Sequence, residues 1–209
     1  MRKVFLGMVF VLSSCYSVSK IQMANLQSIP RDERLLIAVV DFENGTGEEN
    51  NKELVEGIYG KMLNEFNQTG RFRLLERKRL ESVLKELKLH VTGLVDPENA
   101  KQVGQMLGVS AMLFGELSVV KYERNKQSIF IMWTEGEKTE VSIDARLVDV
   151  ESGEILATSR ASTYVKQRNW VAFWFARLGR KMNRESVIET GIELACKKIA
   201  GEISESVYK

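Results

Sequence analysis

Apolar residues recur along this chain with two different periods, and the change from one to the other divides it. "LLIAVVDF" (Leu35 to Phe42) is an unbroken run rich in β-branched residues, as a strand buried on both faces requires. From Lys52 to Phe66, Leu54, Ile58, Met62 and Phe66 return every four residues, with Val55, Tyr59 and Leu63 beside them. That spacing predicts an amphipathic helix, closed by "NQTG" with Gly70 as its left-handed cap. "RFRLLE" predicts a short strand, and "RKRLESVLKELKL" a second helix with Leu80, Val83, Leu84 and Leu87 on one face. Asp96 and Pro97 suit the N-cap and first position of a third helix, "PENAKQVGQMLG", which stops at Gly108.

Beyond Gly108 the period shortens to two. "VSAMLFGELSVVKY" is apolar enough for a central strand. "EVSIDARLVDV" alternates, with Val141, Ile143, Ala145 and Leu147 on one side until Asp149, where the strand is expected to leave the core. "ESGE" predicts a tight turn into "ILATSRASTYV". After Glu185, Ile188, Ile192, Ala195, Ile199 and Ile203 mark a closing helix. The expected class is α/β (α+β), a mixed sheet of about five strands packed with about four helices in one domain over residues 35–209.

The N-terminal pattern is of another kind. Met1-Arg2-Lys3 is basic, and Val4 to Leu12 is apolar but too short for a span, which needs about 20 residues. Residues 1–14 therefore read as a signal peptide. Leu12-Ser13-Ser14-Cys15 looks like a lipoprotein processing box, in which Cys15 is acylated and holds the chain to membrane lipid. The alternative is an ordinary signal peptide whose cysteine is incidental. Tyr16 in place of aspartate after that cysteine resembles an outer-membrane address. Residues 15–34 carry Pro30 and no apolar period, so they read as a flexible tether, roughly 25 Å long as a coil. Cys196, on the apolar side of the closing helix, is expected to be a small core residue rather than half of a bridge.

Charge changes the picture only locally. Without residues 1–14 the chain has 28 cationic and 28 anionic residues, which gives no general attraction to nucleic acid. Yet Arg160, Lys166, Arg168, Arg177, Arg180, Lys181 and Arg184 follow one another with no Asp or Glu between Ala157 and Arg184, and Trp170, Phe173, Trp174 and Phe175 lie among them. Three readings fit: a membrane-interface segment, an aromatic plug of the core, or a subunit contact. "SIFIMW" adds Ile129, Phe130, Ile131 and Trp133 as a second candidate contact.

Chemistry-bearing patterns are sparse. The single histidine, His90, has no companion ligands and suits a helix C-terminal cap. "NGTGEE" lacks the Gly-Lys-Ser/Thr ending of a phosphate loop, and Glu48 and Glu49 would repel phosphate. Glu53, Glu56 and Glu65 are expected on the outer face of the first helix. No catalytic residue, metal or cofactor is expected, so function should come from surfaces and assembly.

"IAVVDFENGTG", "RFRLLERKRLESVLKELKL", "TGLVDPENAKQVGQMLGV", "ARLVDVESGEIL" and "IETGI" together resemble the CsgG-type curli production assembly/transport lipoprotein family. The resemblance implies a lipidated N-terminal cysteine and a periplasmic body built as an anticodon-binding-domain-like sandwich. It also implies assembly into an outer-membrane ring that exports amyloid subunits. Exporting members carry a longer, aromatic-bearing loop where this chain has "NGTGEENNKE". They also build a barrel from two extended hairpins per subunit. Here the first hairpin, over Lys121 to Val150, is expected to be short. In the second, "TYVKQRNWVAFWF" supplies one arm, with too few residues after "ARLGRK" for a matching return strand. The expected function is an outer-membrane-anchored, non-enzymatic assembly or transport component acting as a homo-oligomer. The alternatives are a monomeric periplasmic adaptor of an envelope partner, such as an activator of a cell-wall synthase, and a TolB-like scaffold.

Overall fold

A computed structural model describes residues 16–18, 26–90, 96–129, 132–172, 176–178 and 184–208. In chain order the elements are β1 (Tyr16–Val18), β2 (Leu35–Val39), β3 (Glu43–Asn44), α1 (Lys52–Thr69), β4 (Phe72–Leu74), α2 (Arg77–Glu86), α3 (Pro97–Leu107), β5 (Ala111–Ile129), β6 (Met132–Asp149), β7 (Ile155–Ala172), β8 (Ala176–Leu178) and α4 (Arg184–Val207). The class is mixed α and β with four helices, as the periodicities require.

β2 is buried on both faces because helices cover both. Ile37 and Val39 point toward α1 and α4, joining Ile58, Met62, Phe66, Leu113, Ile143 and Ile192 in one core. Ala38 and Val40 point the other way, toward α2 and α3, and join Leu80, Leu84, Val103, Leu107 and Met112 in a second. A continuous apolar run is what this double burial demands. β2 pairs in parallel with β4 and β5, whereas β5, β6 and β7 are antiparallel to one another.

The helix ends follow their sequence signals. Gly70 and Gly108 both take left-handed φ, 63° and 66°, behind α1 and α3. The Asp96 side chain accepts the Glu98 backbone N–H, with Pro97 opening α3. At the end of β6 the Asp149 carboxylate accepts the N–H groups of Glu151 and Ser152, which lower its pKa and set the turn into β7.

Several expectations are corrected. The described residues form an eight-stranded sheet, not one of about five strands, because β1, β3 and β8 are two or three residues long and too short to show a period. The first hairpin is not short. β5 and β6 pair from Ala111–Asp149 to Ile129–Met132 with one bulge at Ser118, and beyond it through a stretch so polar on both faces that apolar alternation does not reveal it. Part of the segment read as a free tether is bound to the body. β1 pairs with β7, Ile29 donates its N–H to Gly70, and Arg71 donates to the Gln27 carbonyl. Glu65 does not face outward like Glu53 and Glu56. It is only 8% exposed, because α4 packs over that side of α1. His90 lies exposed beyond Leu87, the residue that closes α2, and so does not cap that helix.

Candidate functional site

β5, β6 and β7 run on together far past the body as a three-stranded blade. From Ala111 to Ile129 it extends about 60 Å at ~3.3 Å per residue. β2 and β3 accompany β5 only as far as Leu117. On one face α4 follows the blade farther, and the Thr163 hydroxyl donates to the Gly191 carbonyl at 2.8 Å. Ser159 donates to Glu202 at 2.6 Å, and Lys198 donates to the Arg160 carbonyl at 3.2 Å on the same strand.

Where α4 begins, a polar group replaces the apolar core. The Arg184 guanidinium stands 5.3 Å from the centre of the Tyr122 ring. Burial and a hydrogen bond to Glu137 raise the Tyr122 pKa. Arg124 lies 3.8 Å from the Glu137 carboxylate, which is 8% exposed. Glu137 Oε2 and Thr139 Oγ1 are buried there without a hydrogen-bond partner. Beyond the row Tyr122–Thr139–Val165 the β5–β6–β7 ladder continues for about 23 Å to its end, with β1 and β8 pairing on the outer side of β7.

The opposite face is open over β5, β6 and β7 beside the end of β2. A groove of about 670 Å³ lies there between Asp41, Glu43, Phe114, Glu116, Arg146 and Arg160. Its charges are largely satisfied. Arg160 and the Ser118 hydroxyl both donate to Asp144, which holds that carboxyl below its ordinary range and raises Arg160. Arg77 binds Asp41 at 2.9 Å. Arg146 stacks 5.6 Å from the Phe114 ring centre.

The fold brings the sequence-predicted contact residues to the blade end. Ile129 is the last residue of β5, opposite Met132. Trp133 of β6 stands opposite Val171 of β7, which in turn stands opposite Arg177 of β8. One step toward the body, Thr134, Trp170 and Leu178 share a row, and Arg168 stands opposite Gly136. Two segments about forty residues apart in sequence thus meet in register, as paired strands must. Cys15, Phe130, Ile131, Phe173, Trp174, Phe175, Arg180 and Lys181 lie outside the described residues. Sequence reasoning missed β1, whose Tyr16, Ser17 and Val18 stand opposite Gln167, Lys166 and Val165. The only signal for it is one alternating triplet, too brief to read.

Among the described residues no three His, Cys, Asp or Glu side chains are grouped to hold a metal ion. No described helix is long and apolar enough to cross a membrane, which says nothing of strands. Cys196 is fully buried, and burial, helped by the Glu65 charge, pushes its thiol up to about 12.

Residues 18–208 match the family described as curli production assembly/transport component CsgG. The chain belongs to the CsgG family. No curated protein matches it by sequence. Among solved structures, the hypothetical protein CT253 from Chlamydia trachomatis superposes with a TM-score of 0.49 at 10% identity, over 84% of this chain and 98% of that one. Lipoprotein GNA1162 from Neisseria meningitidis gives 0.48 at 18% identity, over 75% and 92%. The C-terminal domain of LpoB from Salmonella enterica gives 0.44 at 16%, over 61% and 81%. The CsgG match spans both the body and the blade.

Proposed function

We infer that this CsgG-family chain is an envelope lipoprotein, acylated at Cys15 and facing the periplasm from the outer membrane. It works there by self-association as a curli-type assembly or transport component, without catalysing a reaction. The observation that carries this reading is the family match over nearly the whole chain, joined to a blade in which β5, β6 and β7 run on together past β2 and β3. β5 runs past β3 from Ser118 to Ile129, long enough for a tilted barrel strand, which needs about 9–11 residues. The end of the blade gathers Trp133, Trp170, Arg168 and Arg177, and in this reading tryptophan enters the headgroup boundary while arginine meets lipid phosphate. Phe173, Trp174, Phe175, Arg180, Lys181, Ile129, Phe130 and Ile131 belong to the same contact.

The shortness of the chain between the end of β7 at Ala172 and the start of α4 at Arg184 favours a second reading, a monomeric adaptor for an envelope partner. So few residues cannot return along the whole of β7, which leaves a single copy without a full second hairpin. Detergent-extracted protein imaged as single particles separates the two. Rings with a central hole support the assembly, and uniform small particles eliminate it. Mass spectrometry of the processed N-terminus tests the anchor: an unmodified thiol on Cys15 rejects it.

A further inference from the structure

On the face of the sheet opposite α4, α2 and α3 pack against β2 and the start of β5. Beside them two hollows open over the strands. One, of about 670 Å³, lies over β5, β6 and β7 beside the end of β2, and the other, of about 760 Å³, lies between α3 and the turn from β6 to β7. Phe114 and Arg146 line both, so the hollows join into one trough. Each falls within the roughly 300–1,000 Å³ of ordinary binding clefts. Apolar surface is offered along it: Phe114 and Val148 are half-buried, and Ile155 is 58% exposed.

The trough is also negative. Seven carboxylates line it against three cations, Lys101, Arg146 and Arg160. Arg160 is held by Asp144, and Arg146 lies on the Phe114 ring. These pairings, with that of Arg77 and Asp41, leave out Glu43 and Glu116. Both are exposed, and they stand side by side across the parallel pairing of β3 with β5. The Glu116 carboxylate lies against the turn after β3, where a methyl at Gly45 would come within 2.8 Å of its Oε1. Like charges paired across two strands destabilise a sheet, so this pair works against the fold as it stands. A cation between them would reverse the effect.

We propose that the trough receives a basic, extended segment of a partner protein. Its lysine or arginine heads meet Glu43 and Glu116, while their methylene stems cover Phe114. Charge complementarity chooses this occupant, since an excess of carboxylates repels nucleic acid and anionic lipid and attracts a basic chain. The apolar surface gives such a chain something to cover besides the charges. The inference goes beyond both readings above. It concerns the body rather than the blade end, and holds whether the chain works singly or as an assembly.

The probe is a fluorescein-labelled peptide of alternating lysine and threonine, titrated with the full chain in neutral detergent and followed by anisotropy. A peptide of alternating glutamate and threonine is the control. The lysine peptide is expected to bind, more weakly as salt rises, and the glutamate peptide to stay free. Glu43→Gln combined with Glu116→Gln is expected to weaken binding about tenfold, without lowering the melting temperature. Glu53→Gln combined with Glu56→Gln, at two exposed positions of α1, removes the same net charge and is expected to change nothing. Amide NMR shifts of the wild type, which need no variant, are expected at residues 114–116 and 144–146.

Equal binding of the two peptides, an equal loss from the α1 pair, or shifts confined to other surfaces would overturn the docking site. So would the same shifts appearing when the chain is concentrated without peptide, since they would assign the trough to a second copy. Self-association itself is read by particle imaging, and stands or falls separately.

Discussion

The hydroxyl of Thr163 on β7 donates to the carbonyl of Gly191 on α4 at 2.8 Å, and it does so where that helix has no side chain. A methyl group at Gly191 would stand 3.4 Å from that hydroxyl and 3.0 Å from Val141. The glycine lets the long helix approach the blade closely enough to be hydrogen-bonded to it. Thr163→Val keeps the shape and removes the bond, and is expected to cost about 1 kcal/mol in denaturant unfolding.

The glycines of the body should divide by their surroundings. A methyl at Gly115, where β5 leaves the body, would come within 2.2 Å of the Phe42 ring, whereas one at Gly57 on α1 meets nothing within 4 Å. Gly115→Ala is expected to destabilise by about 1–3 kcal/mol through overpacking. Gly57→Ala should stabilise by up to about 1 kcal/mol, because alanine is the better helix former. Thermal melts of the two variants should move in opposite directions.

Burial raises the pKa of the Glu65 carboxyl, and Glu193 adds to the shift while Lys197 opposes it. The folded chain therefore binds this proton more tightly than the unfolded chain. The resulting stability is full below the ordinary glutamate range and is lost as pH rises through the raised folded value. Glu65→Gln, which cannot ionise, is expected to melt higher than the wild type at pH 7. The gap should close as the solution is made acid, as pH-dependent calorimetry can follow.

Cys196 is fully buried in the core between α1, α4 and the sheet, with its thiol pushed up to about 12. At pH 8 almost none is thiolate, the form that reacts. A maleimide or disulfide reagent is expected to leave it unmodified in the native protein and to label it once denaturant unfolds the core. Rapid native labelling would contradict the packing described for α4.

Membrane contact at the blade end has a direct measurement. Trp170→Ala with Trp174→Ala in a chain without the acyl group is expected to weaken flotation with anionic vesicles. Unchanged flotation would reject that contact.

Local chemistry was legible wherever a few neighbouring residues decide the outcome. Gly70 and Gly108 announce left-handed caps because other residues resist that conformation. Asp96-Pro97 announces a helix start because one residue accepts an orphan N–H and the other needs none. The four-residue spacing from Leu54 to Phe66 is helical geometry written in side chains, and the alternation from Val141 to Leu147 is the strand equivalent. The five motifs between Ile37 and Ile192 also carried the family resemblance, which the match over residues 18–208 upholds.

Glu65 shows where that reading ends, since nothing in its own helix says that α4 will lie over it. The blade shows it more fully. Beyond Tyr122 the strands are held by backbone bonds to one another, and those bonds leave no apolar period in the sequence. β1 is joined to β7 across nearly 150 residues, a pairing that three residues alone cannot encode. The sequence by itself determined the helices, the caps of α1 and α3, the doubly buried strand and the family. The tertiary structure alone decided how far the β5–β6 hairpin extends, which carboxylate is buried, and that the N-terminal strand pairs with β7. The physical reason is range: caps and periodicities are fixed within one or two turns of chain, whereas edge pairing and burial depend on whatever distant segment arrives alongside.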